Sequence, residues 1–336
     1  MVDYWRYELI PKRRLSAIAA EGPRHGALIR VDGGFADIHP WPELGDAPLD
    51  EQLALFARGE TTPLTRASLE FAAIDAAARR NGRNLFEGLT IPPSHWPGPD
   101  PPDGFDTVKL KSIDRIPDHV RLRIDFNATF TPDEFVRIAA TLPRERIDFI
   151  EDPCPFDATT WAGLRARTGL RLALDRGGST EHRQECLCHI GPAELPASGE
   201  DEEPRWQRHT CLCGIDPTES PASGSGEEPM WHRHSCLCSA NSFDVLVIKP
   251  AIDEIPSTAA EVVVTSYMDH PIGQLGAAYA AATAGITTTC GLITHVLYEP
   301  DPFIERMQLD GTRLVPPDGT GWGFDDLLEK LPWKRL

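Results

Sequence analysis

A series of short apolar runs, each leading into charged residues, limits what this chain can fold into more than any other feature. The charged residues are Lys109, Lys111, Asp125, Glu151, Asp175 and Lys249. Short β-branched or leucine-rich runs are typical of strands buried on both faces of a parallel sheet. The spacings of 26 residues from Asp125 to Glu151 and 24 from Glu151 to Asp175 each fit one strand, one helix and two loops. The pattern therefore predicts successive βα units of a barrel, whose chemistry lies at the carboxyl ends of the strands.

Three of these residues are acids at the same end of neighbouring predicted strands. In a barrel Asp125, Glu151 and Asp175 would converge on one point, where three anions repel unless a cation holds them together. Hard oxygen ligands favour Mg²⁺. The acids therefore predict a magnesium site.

The lysines predict acid–base chemistry beside that site. Side chains alternate along a strand, so Lys109 and Lys111 point the same way, into the barrel. Two adjacent ammonium groups lower each other's proton affinity, which lets a lysine act as a general base near neutral pH. Lys249 comes from a strand across the barrel and would act from the opposite face of a bound substrate.

These residues together resemble the enolase superfamily, most of all the o-succinylbenzoate synthases of its muconate-lactonising subgroup. The resemblance covers most of the chain outside residues 176–242. It implies Mg²⁺-dependent proton abstraction α to a carboxylate, followed by loss of water. That reaction is a carbon–oxygen lyase (hydro-lyase) step of menaquinone biosynthesis on a small-molecule carboxylate.

The resemblance also assigns roles to individual residues. It implies Lys111 and Lys249 as catalytic residues and Asp125, Glu151 and Asp175 as metal ligands. It implies substrate contacts for Lys109, Arg123, Ser266 and Gly273, although an interior ion pair explains Arg123 equally well.

The predicted fold is an α/β barrel of the (β/α)7β type with some outer helices missing, plus an N-terminal α+β capping domain. The capping domain spans residues 1–95, the barrel 96–317 and an insertion 177–241, and a tail at about 318–336 packs back on the capping domain. The first barrel strand is expected at Leu89–Pro92. Only 13 residues separate Lys111 from Asp125, too few for a full crossover helix.

The N-terminal part carries two further expectations. Thr65 is expected to cap a helix that continues to Arg80. The loop from Ala17 to His25 is expected to be a lid over the substrate, as in the family that the chain resembles.

The insertion is a tandem repeat with a period of 25 residues, marked by Cys-Leu-Cys at Cys186, Cys211 and Cys236. Removing two repeats from the 74 residues between Asp175 and Lys249 would leave 24, a normal interval between strands. A flexible, recently expanded segment is the favoured interpretation. A metal module is the alternative, because histidines accompany the cysteines, but zinc sites space paired cysteines more widely.

Composition bounds the partners. A formal charge of −18 argues against nucleic acid. The chain has no signal peptide pattern and no apolar stretch long enough to span a bilayer, so a cytoplasmic enzyme without membrane contact is expected. The strands that lack outer helices leave a flank that a second subunit could cover, which makes a homo-oligomer possible.

Two alternatives stay open at this stage. Flanking lysines also suit an N-acylamino acid racemase or a dipeptide epimerase, although the Asp-x-Asp of the epimerases is missing from Cys290–Thr294. The second alternative is an inactive relative whose Cys/His repeats bind metal or a partner. It arises because the insertion begins directly behind Asp175.

Overall fold

The computed structural model describes residues 2–175, 242–256, 258 and 260–336. The predicted insertion at 177–241 lies outside the described residues. Its two interpretations, as an expanded segment and as a metal module, therefore stay predictions.

The N-terminal part is an antiparallel sheet covered by two helices. Strands β1 (Val2–Leu9), β2 (Arg24–Val31) and β3 (Gly34–Ile38) pair in chain order, followed by helices α1 (Leu49–Ala57) and α2 (Pro63–Arg80). Helix α2 packs so closely on β3 that a Cβ at Gly34 would lie 1.9 Å from the carbonyl oxygen of Ala72. Glycine is therefore the residue that this contact requires.

The start of α2 differs from the prediction. Thr62, and not Thr65, is the N-cap, and its side chain accepts a hydrogen bond from Thr65 N at 3.2 Å. Thr65 instead occupies the third helical position, where its hydroxyl accepts a bond from Thr62 N at 2.8 Å. Pro63 explains the earlier start, because proline is favoured in the first helical turn.

Six parallel strands form the sheet that carries the charged residues, and they neighbour one another in chain order. They are β4 (Thr107–Leu110), β5 (Arg121–Asp125), β6 (Ile147–Glu151), β7 (Leu172–Asp175), β8 (Val245–Ile248) and β9 (Glu261–Val264). Helix α3 (Pro132–Ala139) links β5 to β6, and α4 (Ala158–Thr168) links β6 to β7. No helix lies between β4 and β5, as the short interval predicted.

Single parallel bridges continue the sheet into a ring. Trp96 pairs with Val108, Ser94 with Cys290, and Thr265 with Gly291. The first barrel strand therefore lies at residues 94–96, and the predicted position at Leu89–Pro92 is wrong. Proline has no N–H to donate to a ladder, and Pro92 and Pro93 postpone pairing until Ser94.

Hydrophobic side chains pack on both sides of the parallel sheet. Phe149, Ala173, Val245, Val247 and Val263 form a buried cluster of their own. Alternate residues of the same strands, such as Ile150 and Leu246, join the core with helices α3 and α4. The polar residues at the strand ends are therefore positioned by strands whose side chains are packed in apolar cores on both faces.

The C-terminal part returns to the N-terminal sheet. Helix α5 (Pro271–Thr283) follows β9, and a hairpin of β10 (Gln308–Asp310) and β11 (Arg313–Val315) precedes α6 (Asp325–Leu328). Strand β12 (Lys334–Arg335) pairs antiparallel with β1. Trp322 is buried, and its indole N–H donates to the Phe35 carbonyl at 2.8 Å. None of the described helices is long and apolar enough to cross a membrane.

Candidate active site

Lys109 of β4 and Lys111, directly after it, lie against acids from β5 and β6 at the mouth of the barrel. Lys109 Nζ lies 2.6 Å from Glu151 Oε1 and 3.2 Å from Asp125 Oδ2. Lys111 Nζ lies 3.2 Å from the same Asp125 oxygen. These contacts follow from alternation along β4, which directs residues two apart to one face, and from the parallel neighbours β5 and β6.

The other half of the mouth comes from β7 and the residue that follows β8. Lys249 Nζ forms an ion pair with Asp175 Oδ2, and both side chains are about nine-tenths buried. The Asp175 backbone N–H donates to Asp152 Oδ1 at 3.1 Å. Asp175 is close enough to Glu151 and Lys109 for its charge to shift the pKa of both. The insertion that begins after Asp175 therefore leaves this carboxylate at the mouth.

The loop after β5 fixes the orientation of Asp125. Asn127 donates two bonds to Asp125 Oδ1, from its backbone N–H at 2.9 Å and from Nδ2 at 3.0 Å. The other oxygen is left for the two lysines. Asn127, Ala128 and Asp152 all have positive φ, at 49°, 55° and 43°. Such backbone conformations are costly for non-glycine residues and cluster at functional sites.

Burial and opposite charge compete in setting the proton affinities of these groups. Burial alone would lower the pKa of Lys109, but Glu151 and Asp125 outweigh it and hold that pKa above its ordinary value. The predicted lowering by the neighbouring ammonium is therefore not what the structure shows for Lys109. Burial and Asp125 raise the pKa of Glu151 to about 7. Burial would also raise the pKa of Asp125, yet Lys111 and Lys109 hold it far below its ordinary value.

The donor set fits a hard divalent cation in its chemistry. Asp125 and Glu151 are buried with Asp175 close by, and the buried Asn127 Oδ1 has no hydrogen-bond partner. Among the residues that the structure describes, no three His, Cys, Asp or Glu side chains are grouped so that they could hold a metal ion. The ammonium groups of Lys109 and Lys249 lie directly on the carboxylates. The three metal-ligand assignments therefore stay a prediction.

Three other predicted site residues have their contacts elsewhere. Arg123 lies one layer below Asp125 and donates to Asp148 Oδ2 at 2.8 Å and to the Thr289 carbonyl at 2.6 Å, which corresponds to the interior ion pair. The Ser266 hydroxyl bonds to the Thr294 hydroxyl at 2.5 Å. Gly273 lies in the first turn of α5, facing carboxylates of Asp37 and Asp269. Direct contacts therefore join the predicted lysines and acids and leave these three residues outside that cluster.

Beneath the mouth lies a second polar layer, formed by Arg123, Asp148 and His95, which we call the lower layer. The sequence analysis did not identify Asp148 or His95. Asp148 accepts from Arg121 and Arg123, and His95 Nδ1 lies 3.2 Å from the Arg123 guanidinium. A polar residue inside the otherwise apolar run of β6 was the available signal for Asp148. No signal marked His95, because its partner is 28 residues away.

Comparison with known proteins places this arrangement in a family. The family model for the o-succinylbenzoate synthase N-terminal domain matches residues 2–78, and the enolase C-terminal domain-like model matches residues 103–186. An o-succinylbenzoate synthase of Bdellovibrio bacteriovorus is 31% identical over 378 residues, covering 100% of this chain and 98% of that protein.

Solved structures share the fold at lower identity. The L-Ala-D/L-Glu epimerase of Bacillus subtilis has a TM-score of 0.66 at 13% identity, covering 96% of this chain and 97% of that one. A muconate lactonizing enzyme of Pseudomonas fluorescens has a TM-score of 0.65 at 15% identity, covering 96% and 95%. A dipeptide epimerase of Enterococcus faecalis, complexed with Mg and the dipeptide L-Leu-L-Tyr, has a TM-score of 0.64 at 14% identity, covering 96% and 98%.

The barrel with its antiparallel N-terminal sheet is the fold of the enolase superfamily. Within that superfamily, the chain belongs to the o-succinylbenzoate synthase family.

Proposed function

We propose that this chain is a Mg²⁺-dependent hydro-lyase that forms o-succinylbenzoate, a menaquinone precursor, by removing a proton α to a carboxylate and eliminating water from a cyclohexadiene carboxylate. Family membership and full-length identity to an o-succinylbenzoate synthase support the reaction. The observation that carries the residue assignment is the contact of three lysines with three acids at one barrel mouth.

Lys111 is the base in this proposal. Its side chain is 27% exposed, against 12% for Lys109 and 9% for Lys249, so it is the lysine that an incoming substrate reaches most easily. It also has a single carboxylate contact, at 3.2 Å, among the described residues. A side chain held by one acid moves toward a bound substrate more readily than one held by two close acids, such as Lys109.

Lys249 and Lys109 have electrostatic roles. Lys249 is brought in from β8, across the barrel from β4, and its ammonium stabilises negative charge that develops on the substrate carboxylate. Lys109, held between Glu151 and Asp125, adds positive charge on the side of the base. When bound to Asp125, Glu151 and Asp175, Mg²⁺ supplies Lewis-acid stabilisation of that carboxylate. The reaction is that of a cytoplasmic enzyme acting on a small molecule.

The test is turnover of the cyclohexadiene carboxylate by the full chain after chelation, with and without added Mg²⁺. We expect no turnover after chelation and recovery with Mg²⁺. Loss of water without any divalent cation would contradict the proposal. A second assay follows deuterium exchange at the α-carbon of N-acylamino acids and dipeptides, because lysines on two sides also suit racemisation. Exchange without dehydration would assign the chain to that reaction.

A further inference from the structure

Two buried carboxylates face each other where the N-terminal sheet meets helix α5. Asp37 belongs to β3, Asp269 lies two residues before α5, and they are 8% and 2% exposed. A Cβ at Gly273 would lie 2.5 Å from Asp269 Oδ2 and 2.7 Å from Asp37 Oδ2. The two oxygens are therefore no more than about 5 Å apart. Only glycine fits at position 273, because any Cβ would contact both oxygens.

The hydrogen bonds that reach this site come from neutral groups. Tyr7 donates its hydroxyl to Asp37 Oδ1 at 2.6 Å, and the backbone N–H of His270 donates to Asp37 Oδ2 at 3.0 Å. Asp269 Oδ1 is buried and has no hydrogen-bond partner. In the described part of the chain no lysine or arginine pairs with either acid, and Arg24, the cation that acts on nearby His39, is engaged by Glu43 at 2.7 Å.

The titratable groups around the two acids do not supply a positive charge. They are Tyr7 from β1, His39 after β3, Tyr267 after β9, His270 at the start of α5, and Tyr298. Burial lowers the pKa of His39 to about 3 and that of His270 well below its ordinary value, so both imidazoles are neutral. Burial also raises the pKa of Asp269 to about 7, and burial together with the charge of Asp269 raises the pKa of Asp37 well above its ordinary value.

The cavity beside the two acids is very small. Asp37, His39 and Asp269 help to line a cavity of about 10 Å³, which is at the lower limit for one water molecule. Two carboxylates without a cation in a dry interior are strongly unfavourable, and the usual outcome is that one of them keeps a proton.

We propose that Asp37 and Asp269 hold one proton between them and that this acid–carboxylate pair fastens the N-terminal sheet to the barrel at the start of α5. Asp37 is the carboxylate, because Tyr7 and the His270 backbone donate to its two oxygens and act against burial on its pKa. Asp269 is the acid, because backbone N–H groups reach its carboxyl but its Oδ1 receives no hydrogen bond. Loss of the proton leaves two negative charges at the junction and loosens it.

The sign of the pH dependence follows from this assignment. The unfolded chain releases the proton near pH 4, whereas folding raises the pKa of both acids, that of Asp269 to about 7, so the folded state binds more protons between these values. Stability contributed by the pair is full below about pH 4 and is lost as the pH rises toward about 7, by up to about tenfold in the folding equilibrium constant per pH unit.

The experiment is chemical unfolding of the full chain at a series of pH values, for the wild type and for Asp269→Asn. Asparagine is neutral at every pH and replaces a neutral acid, so we expect the variant to fold and to lose this part of the decline. Asp46→Asn is the matched control: Asp46 also joins the two parts of the molecule, accepting from Trp41 N and from the Tyr267 hydroxyl. It should lower stability at all pH values and keep the decline.

Three results would overturn the proposal. The first is an unchanged decline in both Asp269→Asn and Asp37→Asn. The second is failure of Asp269→Asn to fold at any pH, since an amide should be tolerated where a neutral acid stands. The third is stabilisation of the wild type, but not of Asp269→Asn, by Na⁺ or K⁺ at constant ionic strength. That result would mean that a cation, and not a proton, neutralises the pair.

Discussion

The mouth of the barrel and the layer directly beneath it both contain buried charges, but the charges are neutralised differently. At the mouth, Glu151 shares Lys109 with Asp125, and burial together with the charges of Asp125 and Asp175 raises the pKa of Glu151. Beneath it, Asp148 accepts from several arginines, and the Arg123 guanidinium also lies 4.7 Å from the centre of the Phe149 ring. In the lower layer the carboxylate of Asp148 is neutralised by arginines, whereas at the mouth the acids outnumber the nearby positive charge of Lys109 and repel one another.

This difference separates chemistry from stability. Groups that repel one another at a strand end are ready to bind a cation or to exchange a proton, and residues in that state cluster at functional sites. A carboxylate that is already paired with guanidinium groups does not bind a cation or exchange a proton readily, and it contributes to stability instead. Substitutions at the mouth should therefore change turnover, and substitutions in the lower layer should change stability.

The largest expected effect is on turnover, from Lys111→Ala. Removing the base should lower kcat by about a hundredfold to ten-thousandfold, because general base catalysis contributes that much. The unfolding transition should stay close to that of the wild type, since the side chain is partly exposed. Lys330→Ala removes an exposed lysine that pairs with Asp326 and should leave kcat unchanged. Wild-type turnover in Lys111→Ala would end the assignment of the base.

Next in size is the loss of stability expected for Asp148→Asn. The substitution leaves the buried Arg123 without its charged partner, which typically costs about 3–5 kcal/mol. The free energy of unfolding, measured by denaturant titration, should fall by that amount while kcat per folded molecule stays the same. Asp133→Asn, at an exposed pair with Arg167, should cost less than about 1 kcal/mol. A larger effect of Asp148→Asn on kcat than on stability would remove the distinction between the two layers.

A smaller effect concerns the pH dependence of the lower layer. Burial and the neighbouring Arg123 lower the pKa of His95 well below its ordinary value, so the folded chain holds a neutral imidazole. As the pH falls below about 6.5, His95 becomes protonated in the unfolded chain but stays neutral in the folded chain. The free energy of unfolding therefore falls by up to about 1.4 kcal/mol per pH unit. His95→Gln should flatten this acid-side decline. An equally steep decline in the variant would mean that His95 is not its source.

The smallest effect is expected at the cap of α3, which lies outside both layers. The Thr131 side chain accepts from Glu134 N, and the Glu134 side chain in turn accepts from Thr131 N at 2.9 Å. Thr131→Ala should therefore cost about 1 kcal/mol of unfolding free energy and leave turnover unaltered. A change in turnover here would show that stability and activity are not separable in this barrel.

The parts of the molecule that were predictable from sequence are those set by local rules. Alternation along β4 placed Lys109 and Lys111 beside Asp125, and the capping box at Thr131 marked the start of α3. Prolines explain the shifts: Pro63 moved the N-cap to Thr62, and Pro92 and Pro93 displaced the first barrel strand.

What sequence reasoning missed depends on contacts between distant residues. Arg123 could equally have met substrate or an interior acid, and only the register of β6 brings Asp148 to it. The hydrogen bond from His270 N–H to Asp37 joins residues 233 apart in the chain. No local pattern in either segment predicts this contact. Proton affinities were missed for the same reason, since the pKa of Lys109 is set by acids on two other strands.

The most direct test of the account is a crystal structure of the full chain grown with Mg²⁺. We predict one ion bound by oxygens of Asp125, Glu151 and Asp175 at about 2.1 Å, with Lys109 and Lys249 moved off those oxygens. An ion-free mouth at saturating Mg²⁺, with both lysines still on the acids while the enzyme turns over, would contradict it.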